Sequence, residues 1–197
     1  MSGLRERKKQ QTRQLIAKAA RELFAERGFE AVTVTDIARA ADVSPQTVFN
    51  YFPTKEDLFY SRLEAFEHEL VDAIRTRPPD EPVLDAFARF ILTAQGPMED
   101  TERLRTVTRV ITESPSLLAR ERQVLDHYVS VLARVIAEET GDESIEPLVT
   151  AYALIGLHRS LIEHVRRRVL DGATAPEIAQ SVRAEAERGI ALLRRGL

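Results

Sequence analysis

The chain contains no cysteine and no tryptophan, and only 6% of its 197 residues are aromatic. Without cysteine there are no disulfides and no thiolate metal sites. The four histidines (His68, His127, His158 and His164) are scattered, with no paired carboxylates at ligand spacing, so no zinc site is expected. No apolar run approaches a membrane span, and the basic N-terminus lacks the apolar segment of a signal peptide. A cytoplasmic protein with no membrane partner is the expectation. Glycine-rich phosphate loops, a nucleophile elbow and acid/base constellations are missing too. Ser160 and His158 lie two apart on a helical stretch, face different directions and make no dyad. The chain reads as a non-enzyme, with no metal and no cofactor.

What is present is helical periodicity and a basic start. Hydrophobic residues make up 44% and charged residues 30%, enough to bury a real core. The net charge of −3 hides an asymmetry: residues 1–60 hold ten Lys/Arg against eight Asp/Glu, which leaves the rest acidic. Within residues 1–21, seven basic side chains, Arg5, Lys8 and Lys9 among them, face Glu6 alone. Such an arm suits phosphate attraction. Leu15, Ile16, Ala19, Ala20, Leu23 and Phe24 mark a helix over about 4–27, stopped by Gly28.

The stretch Val32–Lys55 is dense in helix signals. Thr33 and Asp36 form a capping-box pattern, and Ile37, Ala38 and Ala41 give the next helix its apolar face. Asp42-Val43 breaks that helix, Ser44 caps another, and Pro45 stands where a missing N–H costs nothing. Pro53 stops it, and Thr54-x-x-Asp57 caps a third. Two short helices joined by a tight turn are a helix-turn-helix, whose second helix enters the DNA major groove. Gln46, Thr47 and Asn50 are then the base-reading candidates, since amides pair with adenine and a threonine methyl packs on thymine. Thr33, Thr35 and Ser44 are candidates for phosphate contact, Ser44 mainly as a cap. Val48 and Phe52 fall on the buried face.

These residues, TxxDIAxxAxVSxxTxFxYFxxKxxL, resemble the DNA-binding signature of the tetracycline-repressor (TetR) family of bacterial regulators over roughly the first 60 residues. By that resemblance Tyr51 and Lys55 are phosphate contacts, and the location is the bacterial cytoplasm. Asp42 replaces the family's usual turn glycine, and Asp tolerates left-handed backbone better than most residues. Phe49 stands where tyrosine is common, so one phosphate-contacting hydroxyl is absent.

Beyond it the pattern stays helical. One helix is expected from Thr54 to about Arg75, acting as a rod, followed by the linker RPPDEP at 77–82. Further helices are expected over 83–95 (ended by Gly96-Pro97), 100–113, about 115–140, 144–171 and from Thr174-x-x-Glu177 to Arg195. The expectation is an all-α chain of about nine helices: a helix-turn-helix domain (1–53), a connecting helix (54–76) and a ligand-binding and dimerisation domain (77–197). The family dimerises through its last two helices, which implies a homodimer on a pseudo-palindromic operator. Tyr152, Ile155, Ile162, Val182 and Ile190 are the interface candidates. The segment RVITESPSLLARERQVLDHYVSVLARVIAEETG (109–141) is similar to the effector domain of the mycofactocin-regulator branch, in which RxxxxSPxLxxRxRE leads into a long helix, and this implies an acyl-CoA-like effector. Candidate pocket residues are Phe87, Phe90, Arg109, Glu113, Tyr128, Leu157, His158 and Arg159, with an arginine facing an anionic headgroup. Arg166-Arg167-Arg168 reads as a solvated helix end. The function expected is a ligand-responsive repressor. An effector-independent DNA-binding or scaffold protein is the alternative, and a small all-α enzyme is opposed by the missing catalytic constellation.

Overall fold

A computed structural model describes residues 2–61, 63–94 and 100–196, with side chains over 7–61, 65–93 and 100–196. It is all-α, with no strand among the described residues. α1 (Ser2–Arg27) ends at Gly28, whose φ of 79° is the left-handed cap that glycine adopts without a Cβ penalty. The Thr33–Asp36 capping box opens α2 (Val34–Ala40): Asp36 Oδ2 accepts from the Thr33 N–H at 3.0 Å and Thr33 Oγ1 from the Asp36 N–H at 3.2 Å. Asp42 takes up the turn at φ 54°, the left-handed backbone expected of it. Ser44 Oγ then accepts from the Thr47 N–H at 3.0 Å to open α3 (Pro45–Tyr51). A second capping box, Thr54–Asp57, opens α4 (Lys55–Phe59).

The rod expected over Thr54–Arg75 is two helices, α4 and α5 (Leu63–Arg75), so the described residues hold ten helices. No glycine or proline marks the break. Tyr60 makes it: its backbone caps α4, its ring lies edge-on to Phe59 at 5.1 Å, and its hydroxyl donates to the Leu117 carbonyl at 3.2 Å. Next come α6 (Val83–Ala94), α7 (Thr101–Glu113), α8 (Pro115–Thr140), α9 (Glu146–Leu170) and α10 (Ala175–Gly196). The stop expected at Gly96-Pro97 lies outside the described residues.

Two compact units form. The first combines residues up to 63 with 109–120. Its core of Ile16, Phe24, Ile37, Val48, Phe52 and Leu58 is completed by Val110, Ile111 and Leu117. Phe24, Phe29 and Phe59 lie within 6.0 Å of one another, centroid to centroid. Each such buried side chain contributes about 1.5–3 kcal/mol. The second unit holds 64–108 and 121–197, with Leu70, Ile74, Phe87, Leu132, Leu154 and Ile178 fully buried. There α9 and α10 approach closely: a Cβ on Gly189 would lie 2.3 Å from Leu157 Cδ1.

Candidate functional site

The burial of Val48 and the half-burial of Tyr51 fix which way α3 faces. The opposite side presents Gln46, Phe49 and Asn50, all exposed and spaced i, i+3, i+4. Gln46 Nε2 donates to Asn50 Oδ1 at 3.1 Å, so the two amides hold each other while staying open to solvent. Thr47 is half-buried and its hydroxyl pairs with Ser44 Oγ at 2.8 Å. Of the base-reading candidates, Gln46 and Asn50 share the exposed stripe, and Thr47 sits at its margin.

The phosphate candidates divide. Lys8, Lys9 and Thr35 are exposed, Tyr51 is half-buried against the head core, and the Arg5 side chain lies outside the described residues. Thr33 and Ser44 have their hydroxyls engaged as caps; Thr33 Oγ1 also donates to Asp36 Oδ2 at 2.6 Å. That hydroxyl, followed by the Thr33 backbone N–H, holds the Asp36 carboxyl below its usual range. Lys55 turns inward. Its ammonium donates to the carbonyls of Phe29 at 2.9 Å and Val32 at 3.2 Å and lies 4.2 Å from the Phe29 ring centroid. It ties α4 to the loop between α1 and α2.

The same unit holds the start, residues 109–120, of the segment singled out for its likeness to an effector domain. Ser114 Oγ donates to Glu30 Oε1 at 2.6 Å, Leu117 is wholly buried in the head core, and Arg120 Nη2 donates to Asp57 Oδ1 at 2.6 Å. Asp57 therefore serves the α4 cap and the elbow between α7 and α8 together. Arg109 and Glu113 are exposed on the last turns of α7, within this unit.

In the second unit three of the pocket candidates gather around Phe66 of α5, a residue not among those candidates. His158 stacks on it at 4.6 Å, Phe90 meets it edge-on at 5.2 Å, and Tyr128 lies at 5.5 Å. Burial lowers the His158 pKa to about 4 against the pull of the Glu121 carboxylate, so the imidazole is neutral. Burial, with the Glu67 carboxylate, pushes the Tyr128 hydroxyl up, and it stays protonated. Phe87 is fully buried in the same unit. Arg159 is exposed and paired with Glu163, which removes it as a headgroup partner inside the cluster. Leu157 packs against Gly189 instead. Arg166 is not a solvated helix end: it makes a two-pronged pair with Glu121, both side chains about 15% exposed, its Nη1 reaching Oε1 at 2.9 Å.

The interface candidates are also corrected. Ile155, Val182 and Ile190 are at most 4% exposed within this chain and belong to its own core, and Ile162 is half-buried. Tyr152 is 59% exposed and continues an apolar face with Ile145, Leu148 and Val149. That face lies at i, i+3, i+4 and i+7 on the start of α9 and the residue before it. An amphipathic reading could not separate inner from outer apolar positions on a helix apolar on two sides.

Comparison with known proteins agrees with this architecture. Residues 16–61 match the family model for bacterial regulatory proteins of the tetR family, and residues 81–187 match the MftR C-terminal domain. The chain is 30% identical over 166 residues to the HTH-type transcriptional regulator TcmR of Streptomyces glaucescens, covering 78% of this chain and 74% of that one. It is 29% identical over 162 residues to MftR of Mycobacterium tuberculosis, described as a candidate mycofactocin biosynthesis transcriptional regulator, covering 80% and 81%. Among solved structures, NalD, the secondary repressor of the MexAB-OprM multidrug efflux pump in Pseudomonas aeruginosa, superposes with a TM-score of 0.55 at 21% identity over 91% of this chain and 97% of that one, a likeness of fold. A capped helix-turn-helix and an MftR-type helical second half make this chain a member of the TetR family of DNA-binding transcriptional regulators.

Proposed function

We propose that the protein is a ligand-responsive repressor that binds a pseudo-palindromic operator as a homodimer. The exposed Gln46–Asn50 pair on α3 carries the reading, because it offers a donor and an acceptor where the major groove displays its own. Lys8, Lys9, Thr35 and Tyr51 supply phosphate contacts around it. One recognition helix reads few bases, and two helices held roughly 34–36 Å apart read a palindrome. The uncovered apolar face of Ile145, Leu148, Val149 and Tyr152, with Leu192 on α10 at 62% exposure, supports pairing through α9 and α10.

The aromatic cluster around Phe66 supports a small, mainly apolar effector, and acyl-CoA-like compounds are the first to test. Its signal travels through the α7–α8 elbow. The interrupted helix 54–75 is a poor rod, whereas Ser114, Leu117 and Arg120 bind directly to the α1–α2 loop, Tyr60 and the α4 cap. An effector acts by its differential affinity for two arrangements of that elbow.

Selection from a random DNA pool tests this reading. A palindromic sequence bound by a dimer is the expected product, and no enrichment over non-specific binding sinks it. Titration of the bound complex with acyl-CoA compounds then reads release; retention at saturating ligand refutes that effector class.

A further inference from the structure

The recognition helix carries an exposed aromatic ring that neither capping nor packing explains. Phe49 is 47% exposed, lies between Gln46 and Asn50 on the same face, and is not a member of the head core. Covering an apolar ring that stands in water beside two amides gains free energy in a bound state. The neighbours say what covers it. With Gln46 Nε2 donating one hydrogen to Asn50 Oδ1, the pair can still offer the Gln46 carbonyl, the second Gln46 N–H and the Asn50 amide N–H groups, so an acceptor stands beside a donor. One acceptor beside one donor complements the major-groove edge of adenine, whose N6 amino group donates and whose N7 accepts. The same edge of an A·T pair carries an apolar feature, the thymine C5-methyl, and phenylalanine contacts are among those that recognise it.

We infer that Phe49 is a specificity-determining residue that packs on a thymine methyl, next to an adenine read jointly by Gln46 and Asn50. The inference rests on the DNA-reading orientation of α3 proposed above. The hydroxyl-free ring suits a methyl and not a phosphate, and the half-site is then marked by an A·T pair under the middle of α3.

Deoxyuridine keeps every hydrogen-bonding group of thymine and lacks only the methyl. The test uses the full-length protein and its selected operator, with each half-site thymine replaced in turn by deoxyuridine in both half-sites. Wild-type protein is expected to lose about fourfold in affinity per half-site at one thymine position, from the loss of one buried methyl. Phe49→Ala is expected to bind more weakly and to be indifferent to that replacement, while Phe49→Tyr keeps the sensitivity. Phe49 is exposed, so both variants fold, and circular dichroism verifies it. Equal wild-type affinity for thymine and deoxyuridine at every position overturns the inference, as does an undiminished penalty in Phe49→Ala. Either result leaves the palindromic operator standing, whereas failure to select any sequence removes the operator itself.

Discussion

Replacing Lys55 by methionine removes the ammonium while keeping most of the apolar stem over Phe29. The two carbonyls it serves, Phe29 and Val32, have their charged partner at 2.9 and 3.2 Å. A hydrogen bond to a charged group contributes about 1.5–3 kcal/mol. Lys55 is only half-buried, so water partly replaces it and the two bonds together amount to about 2 kcal/mol. The ring contact adds ~0.5 kcal/mol at such a site. A loss of about 2–3 kcal/mol lowers the urea midpoint by about 1 M for a slope of ~2 kcal/mol per M. The chain has no tryptophan, so far-UV circular dichroism is the probe. DNA binding is measured in parallel as a function of salt. Two of the three ammonium donors are engaged, which leaves one for a phosphate, so the slope of log affinity against log salt falls by at most about 0.9 per subunit. An unchanged unfolding midpoint with a reduced salt slope would refute the clamp and return Lys55 to a purely phosphate-binding role.

Asp57 and Arg120 are expected to couple by about 0.5–1 kcal/mol in a double-mutant cycle of unfolding with Asp57→Asn and Arg120→Leu, the value for a part-exposed pair; additive losses contradict the elbow contact. Asp42→Gly should raise stability by about 0.5–1 kcal/mol by relieving left-handed backbone, and Asp42→Val should lower it, both read by thermal unfolding. Burial holds the His158 pKa at about 4 in the folded chain, below the ordinary histidine value of 6.5. The unfolded chain therefore takes up the proton first, and stability is full above about pH 6.5 and falls by about 3 kcal/mol as pH drops through 4. His158→Phe should flatten that part of the profile, and an unchanged profile excludes His158 as its source.

Much of the head was legible because its signals are local. Thr33, Ser44 and Thr54 cap within three residues, and Asp42 and Gly28 carry positive φ where turn chemistry requires it. The break at Tyr60 was not legible: it is made by a contact 57 residues downstream, and no local breaker accompanies it. The pocket and interface candidates that the structure places elsewhere share one reason. Periodicity places a residue on an apolar side of a helix, but not against a particular neighbour. Thus Ile155 and Tyr152, three apart on α9, are respectively 3% and 59% exposed. Arg159 and Arg166 look alike in sequence, yet one is solvated beside Glu163 and the other is sheltered with Glu121. Phe49 had its signal in plain view, an apolar residue on the polar stripe, and its meaning came only from the amides beside it.

The head core borrows Val110, Ile111 and Leu117 from beyond residues 64–108, and this has a consequence for synthesis. A ribosome adding about 5–20 residues per second takes roughly 2–9 s to traverse that insertion. Throughout that interval the nascent α1–α4 has its caps and its turn but lacks the side chains that close it over Phe24 and Leu58. Its completion waits on long-range contacts, the slow kind. A chain released after residue 63 would carry the whole DNA-reading motif and yet expose its own interior, so the protein becomes competent to bind DNA only after its second half has begun to appear.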